Sequence, residues 1–426
     1  MVSFRRCVAF CLPLLLGACA GTTPPSTPPT PPAEAAQPEA PAPLPPKLAV
    51  PPVPDAFAGL AAWQGAEIAP GLEAFERSCA SLSGRDADAW LSPQAPWAGR
   101  VSDWQPACAA MENAADTASA RLILETLFLP VEVLSEDGAS RFTGYFEPTF
   151  EARKFPEPPF TAPVPGPPLD MVDVDGKPMQ RLADGQLRPY PPRAEIVPRP
   201  IAYAHPADVF FLQIQGSGRL QFPDGGSFRA VYHANNGHPF RSTANWLIRE
   251  GEISRGEASM QGIRAWMDRA SPARRQEAMN ANPRYVFFAP RAIGDPSLGP
   301  EGAAGLPLVP LGSIAVDHRL HAYGVPYLVS TTAPGLGGDW SGLLVSQDTG
   351  GAITGAVRGD IYFGTGPEAG KRAGTMNAPG RMWVLLPRAL AAGLDQLAMD
   401  SRRETLVSRQ SLAAASEVRA RASRAP

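Results

Sequence analysis

Apolar residues recur at helical spacing in the first part of the globular sequence, between about Ala56 and Thr143. The segments 71–78 and 116–128 repeat apolar side chains every three or four positions. That spacing places the apolar side chains on one face of an α-helix. We therefore predict that this part of the chain is mainly helical.

From residue 144 to about 307, prolines interrupt the chain and two kinds of pattern alternate. Residues 210–215 and 227–233 are short runs rich in aromatic and β-branched side chains, which predict strands. Residues 243–250 and 259–267 have the spacing of amphipathic helices. This middle part is therefore expected to be a mixed β-domain.

Between residues 308 and 386, short apolar segments are separated by glycine turns, a pattern typical of a small β-barrel. Residues 389–422 are charged and favour a helix. Taken with the preceding segments, the pattern predicts a mainly β protein with flanking helices.

The amino terminus carries a different signal. Arg5 and Arg6 precede an apolar run that is too short to span a bilayer, and residues 16–19 resemble the bacterial lipobox. This resemblance implies cleavage before Cys19 and lipidation of its sulfur, so that residues 1–18 are a lipoprotein signal peptide. An ordinary signal peptide with a chance cysteine is the alternative. Ala20 follows the cysteine, where an Asp would favour the inner membrane, so an outer-membrane location facing the periplasm is expected.

Residues 21–54 contain fourteen prolines among 34 positions and cannot bury a core. A proline-rich chain of this length extends to at most about 100 Å. We therefore expect residues 19–54 to be a lipidated tether that holds a globular body away from a membrane.

Composition limits the choice of function. The chain has 426 residues, 44% of them hydrophobic and 19% charged, and a net charge of -3. This composition is typical of a soluble globular body. The net charge is not positive, so it gives no reason to expect binding of nucleic acid. The length favours two domains. A monomer is expected.

The cysteines and histidines point to a disulfide rather than a metal site. Of the five cysteines, Cys79 and Cys108 remain in the globular body after processing and lipidation. In an oxidising compartment they are expected to pair, with two free buried thiols as the alternative. Two histidines close together, His318 and His321, are weak evidence for a metal site, so no metal is expected. No cofactor is expected either.

Three carboxylates stand next to apolar, strand-like sequence. Asp317 follows the run 313–316, while Asp348 and Asp360 stand twelve residues apart around a glycine-rich turn. Carboxylates at strand ends beside glycines can be aimed rigidly at a bulky substrate. Any one of them alone is more often a simple turn residue.

Polar amides, hydroxyls and aromatic rings accompany these carboxylates, with few cations among them. Such a set suits a neutral polyhydroxylated ligand such as a glycan, because sugars combine many hydroxyls with apolar ring faces. A capped turn is the alternative explanation for each amide cluster. The candidate substrate-binding residues are Tyr145, Glu147, Gln213, Gln215, Ser217, Arg219, Asn236 and Asp317.

Over residues 60–390 the chain resembles the membrane-bound lytic transglycosylase A family. The carboxyl-terminal part is similar to the domain named for three aspartates, here Asp317, Asp348 and Asp360. Further matching segments are 144–148, 213–219, 236–239, 285–288 and 364–370. Thr354 is the clearest departure, because the family usually has Lys at that position.

The resemblance implies a double-psi β-barrel formed by residues 55–143 and 308–390. A second, substrate-binding β-domain, residues 144–307, is inserted between them, and a groove separates the two. Residues 391–426 would form a helical charged tail. In this family one aspartate performs both proton transfers; it aligns with Asp360, and Asp348 is implied as its supporting neighbour.

The implied reaction cleaves the β-1,4 bond between N-acetylmuramic acid and N-acetylglucosamine in peptidoglycan. It needs a protonated carboxyl, so the pKa of Asp360 must be raised by desolvation or by a like charge such as Asp348. The C6 hydroxyl of the muramic acid replaces water and closes a 1,6-anhydro ring, so one aspartate is sufficient. The alternatives are a hydrolytic muramidase, with Asp348 or Glu147 as second carboxylate, and a non-catalytic wall-binding lipoprotein.

Overall fold

The computed structural model describes residues 46–51 and 56–394, which fold into strands and helices around two main hydrophobic cores. The strands β1 to β18 are Lys47–Ala49, Phe128–Leu134, Arg141–Glu147, Thr149–Arg153, Ala162–Pro165, Met171–Val174, Lys177–Arg181, Leu187–Pro189, Pro200–Ala204, Ser217–Gln221, Ser227–Asn235, Val286–Arg291, Ser313–Val316, Pro326–Ala333, Gly338–Asp348, Arg358–Thr365, Asn377–Ala378 and Gly380–Pro387. The helices α1 to α9 are Ala61–Gln64, Ala69–Leu82, Val101–Met111, Thr117–Leu127, Pro206–Gln215, Thr243–Arg249, Met260–Arg269, Pro272–Asn280 and Pro367–Ala373.

The largest sheet contains nine strands in the order β1-β2-β18-β14-β15-β13-β16-β3-β17. Strand β13 lies inside this sheet and is fully buried, and it runs parallel to β15 and antiparallel to β16. The strand β3 pairs in parallel with β16 and so brings the start of the middle segment into this sheet. The expected domain boundary at residue 144 therefore falls inside β3.

Helices from the amino-terminal part pack against this sheet. Helix α2 lies on β15, and Gly71 allows this contact, since a Cβ there would lie 2.1 Å from the carbonyl oxygen of Leu343. Cys79 of α2 is joined to Cys108 of α3 by a disulfide. The structure thus forms the pair expected from the sequence, rather than two free thiols.

The middle part of the chain forms a second unit around its own core. Six strands pair in the order β12-β11-β10-β4-β9-β5, and helices α5 to α8 cover them. A separate three-stranded sheet, β6-β7-β8, extends from this part. The prediction of a mainly β protein with helices is confirmed, whereas closure of the large sheet into a double-psi barrel remains an expectation from the family resemblance.

One predicted strand is a helix in the structure. Residues 210–215 belong to α5, which begins at Pro206 and ends before Gly216 in the left-handed conformation (φ 84°). Residues 210–213 are all buried, whereas Ile214 and Gln215 are exposed, so the run shows no clear helical period, and short runs of this kind cannot be assigned by pattern alone. The proline at the first turn and the glycine after the last turn are the signals that favour a helix.

The other predicted elements agree with the structure. The helices expected at 71–78, 116–128, 243–250 and 259–267 correspond to α2, α4, α6 and α7, and the strand at 227–233 lies in β11. The described chain is helical again at 388–394, where the predicted tail begins. The signal peptide, Cys19, most of the tether and the rest of the tail lie outside the described residues. Among the residues described, none of the helices has both the length and the apolar character needed to cross a bilayer.

Candidate active site

Three neighbouring strands bring Asp348 and Asp360 to the same place. Ala315 of β13 is in register with Asp348 of β15 on one side and with Asp360 of β16 on the other. Residues in register point to the same face of a sheet, and adjacent strands are about 4.8 Å apart. Both carboxylates therefore flank the small Ala315 side chain, with their Cα atoms about 10 Å apart.

A break in the register determines which residue of β15 faces this site. Ile314 pairs with Ser346, but the next residue, Ala315, pairs with Asp348, so that Gln347 is skipped. Gln347 instead turns into the core, where it bonds to Ser313 and to helix α2. A bulge of this kind changes the direction of a side chain and is common next to active sites.

Asp360 lies partly buried between β13 and β3. Its Oδ1 accepts a hydrogen bond of 2.6 Å from the Thr143 hydroxyl. Burial raises the pKa of Asp360 above its ordinary value, and the negative charge of Asp348 acts in the same direction. The Thr143 hydrogen bond and the cations Arg358 and Arg141 oppose this rise. The balance favours a carboxyl that retains its proton at higher pH than an exposed aspartate.

Asp348 is held by three donors. Its Oδ2 accepts from the Tyr145 hydroxyl at 2.8 Å, and its Oδ1 accepts from the backbone nitrogens of Ala303 and Thr349 at 3.0 and 2.9 Å. Burial and the negative charge of Asp348 raise the pKa of Tyr145 well above its usual range, so that its phenol stays protonated. The two aspartates thus differ in their surroundings: three donors hold the carboxyl group of Asp348, while burial raises the pKa of Asp360.

Both aspartates line a groove between the nine-stranded sheet and the middle part of the chain. Its cavity of about 690 Å³ has walls from β3, β13 and β16, from the glycine-rich segment after Asp348, and from the α5–β10 turn and β11. The sequence-predicted residues that line it are Tyr145, Glu147, Gln215, Ser217, Asp348 and Asp360.

Glu147 reaches the groove wall, but two arginines hold its carboxylate. Arg219 of β10 donates to it at 3.1 Å, Arg229 of β11 forms a second, closer ion pair, and the Thr365 hydroxyl donates at 2.8 Å. The Glu147 side chain is fully buried. This network ties β3 and β16 of the large sheet to β10 and β11 of the smaller one.

Four predicted substrate-binding residues lie outside the groove wall. Gln213 is buried in α5 next to a separate small cavity, and Arg219 is occupied by Glu147. Asn236 bonds to the backbone of Pro191, Pro283 and Tyr285, and Asp317 pairs with Arg319 and accepts from the Gly355 nitrogen. The polar side chains of these four residues bond to other parts of the fold.

The structure adds residues that sequence analysis had not assigned to the site. Thr143, Ala315 and Tyr362 share a sheet face with the aspartates, and Glu301 and Tyr232 lie in the groove wall. Thr143 was detectable in principle, because it stands two residues before Tyr145 in a strand. The others depend on pairing between distant segments, which spacing along the chain does not reveal.

The histidine pair does not form a metal centre. Burial lowers the pKa of His321 to about 4, and its two ring nitrogens are occupied by the Tyr327 hydroxyl at 3.0 Å and the Ala356 carbonyl at 2.9 Å. In the part of the chain that the structure describes, no cluster of three or more His, Cys, Asp or Glu side chains could hold a metal ion.

Comparison with known proteins places this arrangement in a family. Residues 141–289 match the family model of the MltA specific insert domain, and residues 312–386 match the 3D domain. The chain is 34% identical to a lytic transglycosylase of Burkholderia pseudomallei of known structure, with a TM-score of 0.57. That match covers 82% of this chain and 98% of the other. The chain belongs to the membrane-bound lytic murein transglycosylase A family.

Other members of the lytic murein transglycosylase A family are similar over most of the described chain. The Escherichia coli enzyme of that name is 36% identical over 261 residues, which span 58% of this chain and 66% of the relative. A crystal structure of Escherichia coli MltA with bound chitohexaose has a TM-score of 0.58 at 28% identity, covering 81% of this chain and 95% of that one.

Proposed function

We propose that this protein is a lytic transglycosylase that cleaves peptidoglycan between N-acetylmuramic acid and N-acetylglucosamine without water. The observation that carries the proposal is the position of Asp360, which is partly buried in the groove wall with a raised pKa. Membership in a family of named murein transglycosylases supports the same activity.

The reaction requires Asp360 to give up and then recover one proton. Its carboxyl donates that proton to the glycosidic oxygen as the bond from this oxygen to C1 of the muramic acid breaks, which frees the N-acetylglucosamine hydroxyl. The resulting carboxylate then takes the proton of the C6 hydroxyl, whose oxygen attacks C1. The products are a new glycan end and a 1,6-anhydromuramic acid end, and Asp360 is protonated again.

Asp348 and Glu147 are poorly placed to act as a second catalytic carboxylate. Asp348 accepts three hydrogen bonds, and Glu147 is ion-paired with Arg219 and Arg229. A hydrolytic muramidase would need one of them to attack the sugar or to activate water. The intramolecular C6 hydroxyl removes that need.

The groove fits a neutral glycan. Its wall combines aromatic rings, such as Tyr145 and Tyr232, with the polar groups of Gln215 and Ser217. Aromatic faces cover sugar rings, while amides and hydroxyls bond to sugar hydroxyls. The chitohexaose bound to the Escherichia coli relative is a ligand of this chemical class.

We further propose that the protein acts as a monomer anchored to the outer membrane by lipid on Cys19 and facing the periplasm. The lipobox-like residues 16–19 and the proline-rich segment that follows support this location. The relatives named membrane-bound transglycosylases are consistent with it.

Mass spectrometry of peptidoglycan digested by the purified protein tests the activity. We expect anhydromuramic acid ends; reducing ends would indicate a muramidase, and absence of products would indicate a binding protein. Asp360→Asn should lower turnover by at least about 10²–10⁴-fold, because its amide cannot donate the acidic proton. Normal turnover by this variant would show that Asp360 is not the acid. Chitohexaose binding and the thermal unfolding midpoint serve as controls for folding.

A further inference from the structure

Thr143 connects Asp360 to a cation that does not touch it directly. The Thr143 hydroxyl lies 2.6 Å from Oδ1 of Asp360, and Nη2 of Arg358 lies 2.9 Å from the same hydroxyl oxygen. Arg358 and Asp360 are two residues apart on β16, and Asp360 is in register with Thr143 of β3. The three side chains therefore form a chain of hydrogen bonds on one face of the sheet.

The order of donors in this chain follows from the chemistry of its groups. A guanidinium has only donors, so Arg358 must donate to the Thr143 oxygen. The single proton of the Thr143 hydroxyl is then free to point at Asp360, whose Oδ1 acts as the acceptor. An acidic proton on Oδ1 would compete with this hydrogen bond. When Asp360 is protonated, its proton is therefore favoured on Oδ2.

Arg358 is itself held in place by the backbone. Its Nη1 donates to the carbonyl of Gly359 and, at 3.4 Å, to the carbonyl of Arg141. Within the described residues, no carboxylate forms an ion pair with Arg358. Its side chain is also not part of the groove wall. It can therefore influence the reaction through Thr143 and through its charge rather than by contact with substrate.

We propose that Arg358 is a positioning residue, which fixes the Thr143 hydroxyl as a donor to Oδ1 of Asp360 and so directs the acidic proton to Oδ2. The inference rests on the proposed function, because it assigns a role in the proton transfer by Asp360.

The surrounding charges set the expected direction of the pH effect. Arg358 and Arg141 lower the pKa of Asp360, whereas burial and Asp348 of β15 raise it. The other titratable groups on this face, among the described residues, are the Glu147 carboxylate, which is ion-paired with Arg219 and Arg229, and the phenols of Tyr145 and Tyr362. Burial raises the pKa of both phenols, so they stay neutral. The neighbouring strand β13 contributes the uncharged Ala315.

The test is a double-mutant cycle measured on isolated peptidoglycan, with release of anhydromuramic acid ends as the readout. Arg358→Met removes the donors and the charge, and we expect kcat at the pH optimum to fall about tenfold, since the carboxyl is no longer held in one orientation. KM should stay within about twofold. The basic limb of the kcat/KM profile should move to higher pH, because the pKa of Asp360 rises when a nearby cation is lost.

Thr143→Val should lower kcat at least as much as Arg358→Met, and the double variant should be no slower than Thr143→Val alone. Thr143→Ser retains the hydroxyl and should retain activity. Effects of Arg358→Met and Thr143→Val that multiply in the double variant would overturn the proposal. So would an unchanged kcat at the optimum for Arg358→Met.

Arg141→Met is the matched control. Arg141 is in register with Arg358 and also lowers the pKa of Asp360, but its Nε donates to Asn377 rather than to Thr143. We expect a shift of the basic limb in the same direction without the tenfold loss of kcat. A wild-type protein that releases no anhydro ends would refute the proposed function. An active wild type with a normal Arg358→Met variant would refute only the role of Arg358.

Discussion

Asp348 and Asp360 have the same side-chain chemistry but different surroundings, and we propose different tasks for them. Asp348 accepts from Tyr145 and from two backbone nitrogens, which hold its carboxyl group in place. The carboxyl group of Asp360 accepts from Thr143, the one hydrogen-bond partner that the described residues give this side chain, and burial raises its pKa. Because burial favours the protonated form of Asp360, we propose that Asp360 and not Asp348 is the acid.

Replacement of Asp348 tests this division. The negative charge of Asp348 raises the pKa of Asp360. Asp348→Asn removes this charge, and the pKa of Asp360 should therefore fall. The basic limb of the kcat/KM profile should then move to lower pH, with activity at neutral pH reduced by about tenfold. The pH dependence of anhydro-end release measures both effects. A loss as complete as that of Asp360→Asn would instead place Asp348 in the chemistry.

At the scale of elements, the site depends on contacts between strands that are distant along the chain. Glu147 of β3 is buried between Arg219 of β10 and Arg229 of β11, and Thr365 of β16 donates to the same carboxylate. This network fixes β3, the strand that carries Thr143 and Tyr145, relative to the opposite groove wall. Glu147 therefore has a structural role at the edge of the site.

Glu147→Gln should destabilise the protein without changing its product. Loss of the carboxylate leaves two buried guanidiniums without their partner, which costs on the order of 3 kcal/mol in the free energy of unfolding. Urea unfolding followed by circular dichroism measures this change. Glu368→Gln, at an exposed ion pair with Lys371, is the control and should change the free energy by less than about 0.5 kcal/mol. Reducing ends from the Glu147→Gln digest, or no anhydro ends despite a folded protein, would contradict the assignment.

At the scale of the whole molecule, two cores place the groove between them. The core of the nine-stranded sheet supports both aspartates, and the core of the six-stranded sheet supports the opposite wall with Gln215, Ser217 and Tyr232. The residues that line the groove all lie between 145 and 362 of the described chain. The proposed lipid anchor would then set the location of the enzyme and not its chemistry.

Cys19→Ala tests the anchor. The variant should lose its association with the outer-membrane fraction, because no thiol is left to carry lipid, and firm anchoring takes more than one acyl chain. The purified variant should release anhydro ends from isolated peptidoglycan at the wild-type rate. Retention of the variant in the outer-membrane fraction after a high-salt wash would show that lipid on Cys19 is not what holds the protein there.

Several features of the protein follow from its sequence alone. The helical periods predict α2, α4, α6 and α7, and the two cysteines of the globular body are the ones that pair. The carboxylates beside glycines and apolar runs single out Asp348 and Asp360 as candidates. Each of these inferences depends on residue types and their spacing along the chain, which the sequence gives directly.

Other features were decided only by the tertiary structure. The register of β13 with β15 and β16, and the bulge that skips Gln347, bring Asp348 and Asp360 to either side of Ala315. Only the folded structure shows which amides and carboxylates line the groove. Others, such as Asn236 and Asp317, are buried and bond within the fold. Polar residues of both kinds look alike in the sequence, because strand pairing and desolvation arise only when distant segments pack together.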